Sequence, residues 1–512
     1  MKNLNILACL LVGVLSWSSC SKDYLDTKPT AEKATTTIFE TTDNAALAIN
    51  GINKLMTMQY LGTQGFNGEG TIKMYYGNYT GNHFLYNLPS WSVIINGDYH
   101  ENTSSIYLYY PWYYYYMMIG NANAILANID NAKGTDAAKQ FIKAQALTFR
   151  GYCFLMLSQL YCKRWIDSSN GASSGLVLRT DISTGEQALS TLKQVYEQIY
   201  KDLDEAIALY TSSGKTRTRN FDPDKNVAYA VYARAAITRQ DYATAATMAV
   251  NARAGYPLMS ATEYKAGFFT PNKEWIWSSY GASDETLYFY SYFAYIAYNS
   301  SASQVRTYPR CISRELYNKI PATDLRRGLF LDPTGYTYTT STGLASAALK
   351  ARAFTLYPNL YSTASAYAYM QFKIGAADLP GVGNLNHFRS SEMVLIEAEA
   401  KYFTSNEAAA QTLLVSLNKD SGRDPSYTCT KTGADLLNEI KTYRAIELWG
   451  EGFDWFDLKR WGDPISRKNY AGGGNFQSTL DVSYGPAEKN AWVWKIPEKE
   501  TDYNKLAVFP TN

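Results

Sequence analysis

The sequence predicts a mainly α protein in which helix pairs stack into a scaffold and two large irregular insertions, carrying minor β structure, interrupt it. Three observations lead there: apolar residues recur at helical spacing over several long segments, alanine dominates two neighbouring segments joined by one aspartate, and the period vanishes over two long stretches. A chain of 512 residues, 46% hydrophobic and 18% charged, can bury a large core, which excludes a disordered segment and a disulfide-stapled miniprotein. Lys plus Arg number 48 against 46 for Asp plus Glu, so a formal charge of +2 offers no field to hold a polyanion and no nucleic acid is expected as a partner. Tyrosine is the outlier, at 44 residues beside 11 Trp and 20 Phe. A flat apolar ring with one polar tip suits a surface that holds polar ligands by their faces.

Residues 1–19 read as a signal peptide: Lys2 gives a positive start, Leu4 to Leu15 is apolar but too short to span a bilayer, and small Ser18 and Ser19 precede Cys20. A cysteine at that junction resembles the lipobox of bacterial lipoproteins, which implies acylation, palmitate included, at Cys20. Ser21, Lys22 and Asp23 are similar to the short signal that exports some lipoproteins to the outer face of the outer membrane. Residues 20–40 are then a lipidated tether and 41–512 a single domain, with scaffold at approximately 41–60, 112–254 and 391–462 and insertions at approximately 61–111 and 255–390.

Within the scaffold, helices are predicted over Asp43 to Tyr60, Trp112 to Asn131, Asp136 to Tyr161 and Gln187 to Tyr210. The alanine-rich pair follows, Asn226 to Gln240 and Tyr242 to Arg253, turning at Asp241. Small residues let helix axes approach closely, and the pair resembles a tetratricopeptide repeat. A similar pair is predicted at Ser391 to Phe403 and Asn406 to Leu417. In the second insertion Trp275 to Ser279 and Thr286 to Tyr298 have β-type aromatic content, while Tyr107 to Tyr116 reads mostly as helix-packing surface.

Motifs with chemistry are weak. Gly171 to Gly175 imitates a nucleophile elbow but lies in a loop. Ser213 to Thr216 imitates the end of a phosphate loop without its first glycine. Asp222, Asp224 and Asn226 begin like a calcium loop, yet Val227 and Ala233 stand where glycine and glutamate are needed, so a helix-capping turn is the better reading. No metal or cofactor is expected. Cys153 and Cys162, nine residues apart on one predicted helix, lie about 13 Å apart by helical rise, beyond disulfide reach. Pairing of Cys311 with Cys429 stays open.

The segment from Tyr443 to Gly462 contains Arg444, Glu447, Leu448, Glu451, Gly452, Asp457, Leu458, Arg460, Trp461 and Gly462. At these spacings it resembles the C-terminal signature of the SusD/RagB family of outer-membrane nutrient-binding lipoproteins. Leu147 to Tyr161, Ser391 to Ala400 and Trp494 to Pro497 resemble further parts of that family, and Asp454 and Tyr443 depart from it, standing where basic residues are common. The spacing of Arg444, Glu447 and Glu451 predicts one helical face carrying an ion-pair network with a structural role. A glycosidase pair would instead flank a cleft from separate elements, its two carboxylates about 5–9 Å apart.

The resemblance implies a SusD-like α-superhelical scaffold and no catalytic residues. It implies a surface lipoprotein of the outer membrane that binds oligosaccharides and passes them to a TonB-dependent SusC-like transporter. The alternatives are a peptide-binding RagB-type protein or, less favoured, a surface glycoside hydrolase. Stacking rings beside fixed amides and carboxylates suit a sugar. The first insertion offers Tyr79, Asn82, Tyr86, Asn87, Trp91 and Asp98, in the segment where the family places part of its glycan site. The second offers Tyr280, Tyr290 and Tyr292; the alternation of Tyr288, Tyr290 and Tyr292 fits a strand that serves either as packing or as a platform.

Overall fold

The computed structural model describes residues 37–59, 65–282, 291–488 and 492–509. Its scaffold helices are α1 (Thr42–Leu55), α2 (Ile106–Asn128), α3 (Asp136–Tyr161), α4 (Leu192–Ser213), α5 (Lys225–Arg239), α6 (Tyr242–Ala252), α7 (Ser390–Phe403), α8 (Glu407–Val415), α9 (Gly433–Glu447) and α10 (Asp454–Trp461). Local chemistry sets several starts. The side chains of Thr41, Thr135, Asp224 and Asp241 each accept a hydrogen bond from a first-turn amide, and Thr191 with Gln194 forms a reciprocal capping box on α4. Asp224 is thus the helix cap that its spacing predicts.

Helices α2 to α6 pack in chain order, and α6 then packs on α7 although 137 residues, 253–389, separate the two in sequence. The repeat is therefore continuous in space although the second insertion breaks it in sequence. Between α5 and α6 the fully buried Ala228, Ala235, Ala245 and Ala249 permit the close approach that the composition predicts. The turn needs only Gln240, in the left-handed region at φ 65°, and Asp241.

Three two-stranded antiparallel sheets sit among the described residues: β1 (Phe84–Leu85) with β3 (Cys311–Ile312), β2 (Trp275–Ser279) with β4 (Leu385–Arg389), and β5 (Ile465–Arg467) with β6 (Val482–Tyr484). The predicted strand at Trp275 to Ser279 is found with those bounds. The strand expected around Tyr292 is not: Tyr292–Ile296 is a short helix capped by Ser291. The first insertion is less irregular than expected. Ile72–Asn78 forms a π-helix whose every residue is buried, with Tyr75 and Tyr76 packed into a ring-on-ring core.

Helix α2 starts six residues before the predicted Trp112 and runs through Pro111. A proline there cannot donate to the carbonyl of Tyr107. The hydroxyl of Tyr76 donates to that oxygen instead, at 2.8 Å, so the π-helix repairs the gap in α2.

The C-terminal signature organises a buried ionic centre, with partners other than those its spacing predicts. Helix α9 ends at Glu447 and Leu448 caps it, so Glu451 lies in the following turn rather than one helical turn on. Arg444 faces Asp457 at 2.7 Å. Glu447 receives Arg326 and Arg389 at 2.7 Å and Arg423 at 3.0 Å, Glu451 receives Lys373 at 2.7 Å and Arg389 at 2.8 Å, and Glu274 receives Arg389 and Arg423. The structural role of the two glutamates stands, and the claim that they share a helical face with Arg444 is corrected. Cys153, Cys162, Cys311 and Cys429 are all free thiols, which closes the question of a Cys311–Cys429 bridge.

Candidate functional site

The ring cluster of the first insertion is built around Trp91. Pro89 opens a 3-10 turn, Pro89–Trp91, that feeds the short helix Ser92–Ile95. This places Trp91 half-exposed at the edge of a packed aromatic group, beside Val93, which is 52% exposed. The Trp91 ring meets Tyr86 at 5.6 Å and Tyr75 and Tyr295 at 5.9 Å between centroids, mostly edge-on. Behind it the Tyr86 ring is stacked under the Arg310 guanidinium at 3.6 Å, and its hydroxyl donates to Gln304 Oε1. Tyr79 lies deeper, 5.2 Å from Tyr86 and 5.8 Å from Tyr75. Burial pushes the Tyr79 and Tyr86 phenols well up, with Arg310 opposing, so both stay neutral.

The structure thus brings Tyr79, Tyr86 and Trp91 together and leaves only Trp91 with ring surface to offer. Tyr79 and Tyr86 are 0% exposed, which corrects their expected place on the ligand surface; they form the wall behind Trp91. Asn87 is also interior, its amide donating to the carbonyls of Thr342 and Asn475. Tyr292 is buried, its hydroxyl donating to the Gly450 carbonyl at 2.5 Å. The three tyrosines are spent on interior packing, closed by a hydroxyl bond at Tyr86 and Tyr292, and Asn87 on backbone carbonyls, and that leaves no face for a sugar.

The remaining candidates disperse. Asn82 is half-buried and pins the start of β5, donating to the Pro464 carbonyl at 3.0 Å and accepting from the Ser466 amide at 2.7 Å. Asp98 is exposed, seven residues past Trp91. Tyr280 is 45% exposed, but its ring neighbour is Phe221, 5.5 Å away and itself under Arg219, not a member of the Trp91 cluster. Tyr290 and Cys20 lie outside the described residues. Sequence reasoning missed Arg310, Gln304 and Tyr308, which back Tyr86 from the second insertion. No local pattern marks them; only the β1–β3 pairing, which sets Leu85 opposite Cys311, carries Arg310 there.

This arrangement offers a flat face for stacking, on a wall of neutral phenols and a guanidinium. No group of His, Cys, Asp and Glu among the described residues could hold a metal ion. Among those residues, no helix is long and apolar enough to cross a membrane.

Comparison with known proteins agrees with the fold. Residues 23–237 match the SusD-like family model for starch-binding proteins associating with the outer membrane, and residues 380–510 match the SusD family model. No curated protein matches the chain. Among solved structures, a SusD-like carbohydrate-binding protein from Bacteroides vulgatus superposes with a TM-score of 0.74 at 23% identity, covering 92% of this chain and 98% of its own. A SusD superfamily protein from Bacteroides thetaiotaomicron gives 0.72 at 23% identity over 92% and 100%. A SusD-like carbohydrate-binding protein from Bacteroides fragilis gives 0.67 at 15% identity over 92% and 99%. At such identities the superpositions carry the fold, mainly α with few short strands. The matches at both ends of the sequence carry the kinship: the chain belongs to the SusD/RagB family.

Proposed function

We propose that this protein is a surface-exposed outer-membrane lipoprotein that binds oligosaccharides at the Trp91 edge and passes them to a TonB-dependent SusC-like transporter, without cutting them. The observation that carries the binding reading is the half-buried Trp91 ring, packed on an aromatic wall of Tyr75, Tyr86 and Tyr295. A sugar presents apolar C–H faces that stack on such a ring, and a platform already fixed loses little freedom on binding. The family's description as starch-binding and the carbohydrate-binding relatives point to the same ligand class. Asp98 belongs on the polar rim of this site, and Tyr79, Tyr86 and Tyr292 act as its support. Asn82 and Tyr280, which pack elsewhere, are assigned to outlying contacts of a longer chain.

Attachment follows from acylation of Cys20. Each buried methylene contributes about 0.8 kcal/mol, so several acyl chains hold a protein durably at the membrane. Oligosaccharides released nearby are then captured at the transporter's mouth rather than lost to diffusion.

The test is a glycan array followed by calorimetry on wild type and Trp91→Ala. The reading expects an oligosaccharide ligand, at least tenfold weaker binding in the variant, and an unchanged oligosaccharide after prolonged incubation. Peptide binding with no glycan binding, or cleavage of the glycan, overturns it.

A further inference from the structure

A cavity of about 1030 Å³ opens on a part of the molecule that Trp91 does not line. Helices α9 and α10 and the turn between them form one wall, and residues 78–84, 316–321 and 464–466 close it. It matches the upper end of the range, about 300–1,000 Å³, typical of small-molecule sites.

Three features of the lining bear on what it takes. Phe453 and Trp461 are half-exposed and give it apolar surface. Asn438 and Thr442 lie four apart on α9, hence on one face, and their side chains make no hydrogen bond within the described residues. Arg444, also in the lining, is 2% exposed; its Nε is held by Asp457 at 2.7 Å, but its Nη1 has no partner. A buried N–H without an acceptor is unfavourable until something arrives to accept it.

Charge narrows the ligand class. Lys441 pairs with Asp463 at 2.8 Å, Lys431 with Glu439 at 2.5 Å and Arg444 with Asp457. Lys319 and Asp435, both exposed and without an ion pair among the described residues, add one charge of each sign, and burial raises the Asp454 carboxyl toward its neutral form, so the lining presents no marked excess of either sign to an anion or a cation. What remains is an amide, a hydroxyl and one guanidinium N–H set around apolar ring surface, which is the complement of an uncharged pyranose chain.

We propose that this cavity is a second carbohydrate site, separate from Trp91, that takes a neutral oligosaccharide of a few units. The ligand class rests on the glycan reading above; the existence of a second site does not rest on Trp91. Two sites on one lipid-anchored protein would hold one long chain by effective concentration, well beyond the affinity of either alone.

The full-length lipoprotein in detergent is titrated by calorimetry with maltohexaose, cellohexaose, xylohexaose and mannohexaose, and with a galacturonate hexamer as the charged control. The proposal expects two molecules of a neutral hexaose per protein, one in Trp91→Ala, and none when Thr442→Trp is added to fill the cavity. Circular dichroism checks that the filled variant folds. Asn438→Ala, an exposed change that spares the core, is expected to weaken the second site at least tenfold. A stoichiometry of one that Trp91→Ala abolishes and Thr442→Trp leaves intact overturns the second site while the first reading stands. Preference for the galacturonate, or loss of transporter co-purification without loss of sugar in Thr442→Trp, overturns it in favour of another occupant. Binding of none of the neutral hexaoses overturns both readings.

Discussion

Arg389 Nη1 lies 2.7 Å from Glu447 Oε1, with 1% and 0% of the two side chains exposed. Each belongs to a larger set. Arg389 ends β4 and also reaches Glu274 and Glu451, while Glu447 ends α9 and also takes Arg326 and Arg423. Two segments that neither touch in sequence nor share an element type are thereby locked at one point. Such a centre is costly to desolvate and is tolerated because every carboxylate oxygen has a donor.

Glu447→Gln is therefore expected to destabilise the protein by about 3–5 kcal/mol, because three buried guanidinium groups lose their shared counter-charge. Denaturant unfolding reads this directly, and a loss below about 1 kcal/mol would contradict it. The guanidinium groups hold the Glu447 carboxyl well below its ordinary range, against burial, and Glu451 moves the same way. Their folded-state values are depressed, so this stabilisation is complete above the ordinary carboxylate range, near pH 4.5, and is lost as pH falls toward the folded values.

Three buried lysines give the opposite end of the pH profile. Lys459 donates to the carbonyls of Gln159, Leu160 and Cys162 at the end of α3, and burial brings its ammonium from 10.5 down to about 7. Lys73 and Lys373 fall to about 8 for the same reason. Between these values and 10.5 the unfolded chain binds protons that the folded chain has released, so stability rises with pH from about 7, by up to about 1.4 kcal/mol per pH unit for each lysine. Beyond pH 10 the sign reverses. Burial keeps phenols such as Tyr76 and Tyr114 protonated in the fold while the unfolded chain ionises them. Unfolding free energies measured from pH 6 to 11 should show this rise and fall, with a shallower rise in Lys459→Met. A profile flat between pH 7 and 10 contradicts the assignment.

The close approach of the π-helix to the signature turn predicts an unusual glycine requirement. A Cβ at Gly77 would run into the carbonyl oxygen of Gly452, and one at Gly452, where φ is 88°, would lie 2.6 Å from Cβ of Lys73. Both obstacles are main chain or its first atom, so neither can rotate away. Gly77→Ala is expected to destabilise by about 3 kcal/mol, at the upper end for overpacking. Gly120→Ala is the control: it lies exposed in α2 with nothing within 4 Å of a new Cβ, and should stabilise by about 0.5–1 kcal/mol. Equal melting shifts in the two variants would refute the contact.

How much of this was legible depended on where the partner of each residue lay. Helix α3 is found with its predicted bounds because Thr135 and a local 3.6-residue stripe define it. The early start of α2 was not legible, because Pro111 reads as a boundary and only a tertiary partner, Tyr76, removes it. The π-helix carries no 3.6-residue signature at all. In the signature, Arg444, Glu447 and Glu451 were visible as charges in a shared segment, but their real partners come from Asp457 and from Arg326, Lys373, Arg389 and Arg423, which no spacing rule connects. At the site, a tyrosine that walls a cluster and one that meets a ligand have the same side chain. Tyr86 and Trp91 stand five residues apart in one Gly/Asn-rich stretch, and only packing decides that Trp91 faces outward.

That difference in burial separates binding from stability experimentally. Trp91→Ala removes a half-exposed ring whose neighbours still pack on one another through Tyr75–Tyr79 and Tyr79–Tyr86. It should weaken oligosaccharide binding at this site at least tenfold, about 1.4 kcal/mol, while the unfolding transition moves little. Tyr292→Phe does the reverse. Its hydroxyl bond to the Gly450 carbonyl is buried, and deleting it removes one of that oxygen's two donors, the other being Asn78 Nδ2 at 2.8 Å, at a cost of about 0.5–1.5 kcal/mol in stability with affinity retained. Calorimetric titration and thermal melting of the two variants, run side by side, give a crossed pattern if Trp91 is the contact and Tyr292 the support. Affinity lost in Tyr292→Phe but kept in Trp91→Ala would exchange those roles and move the site into the second insertion.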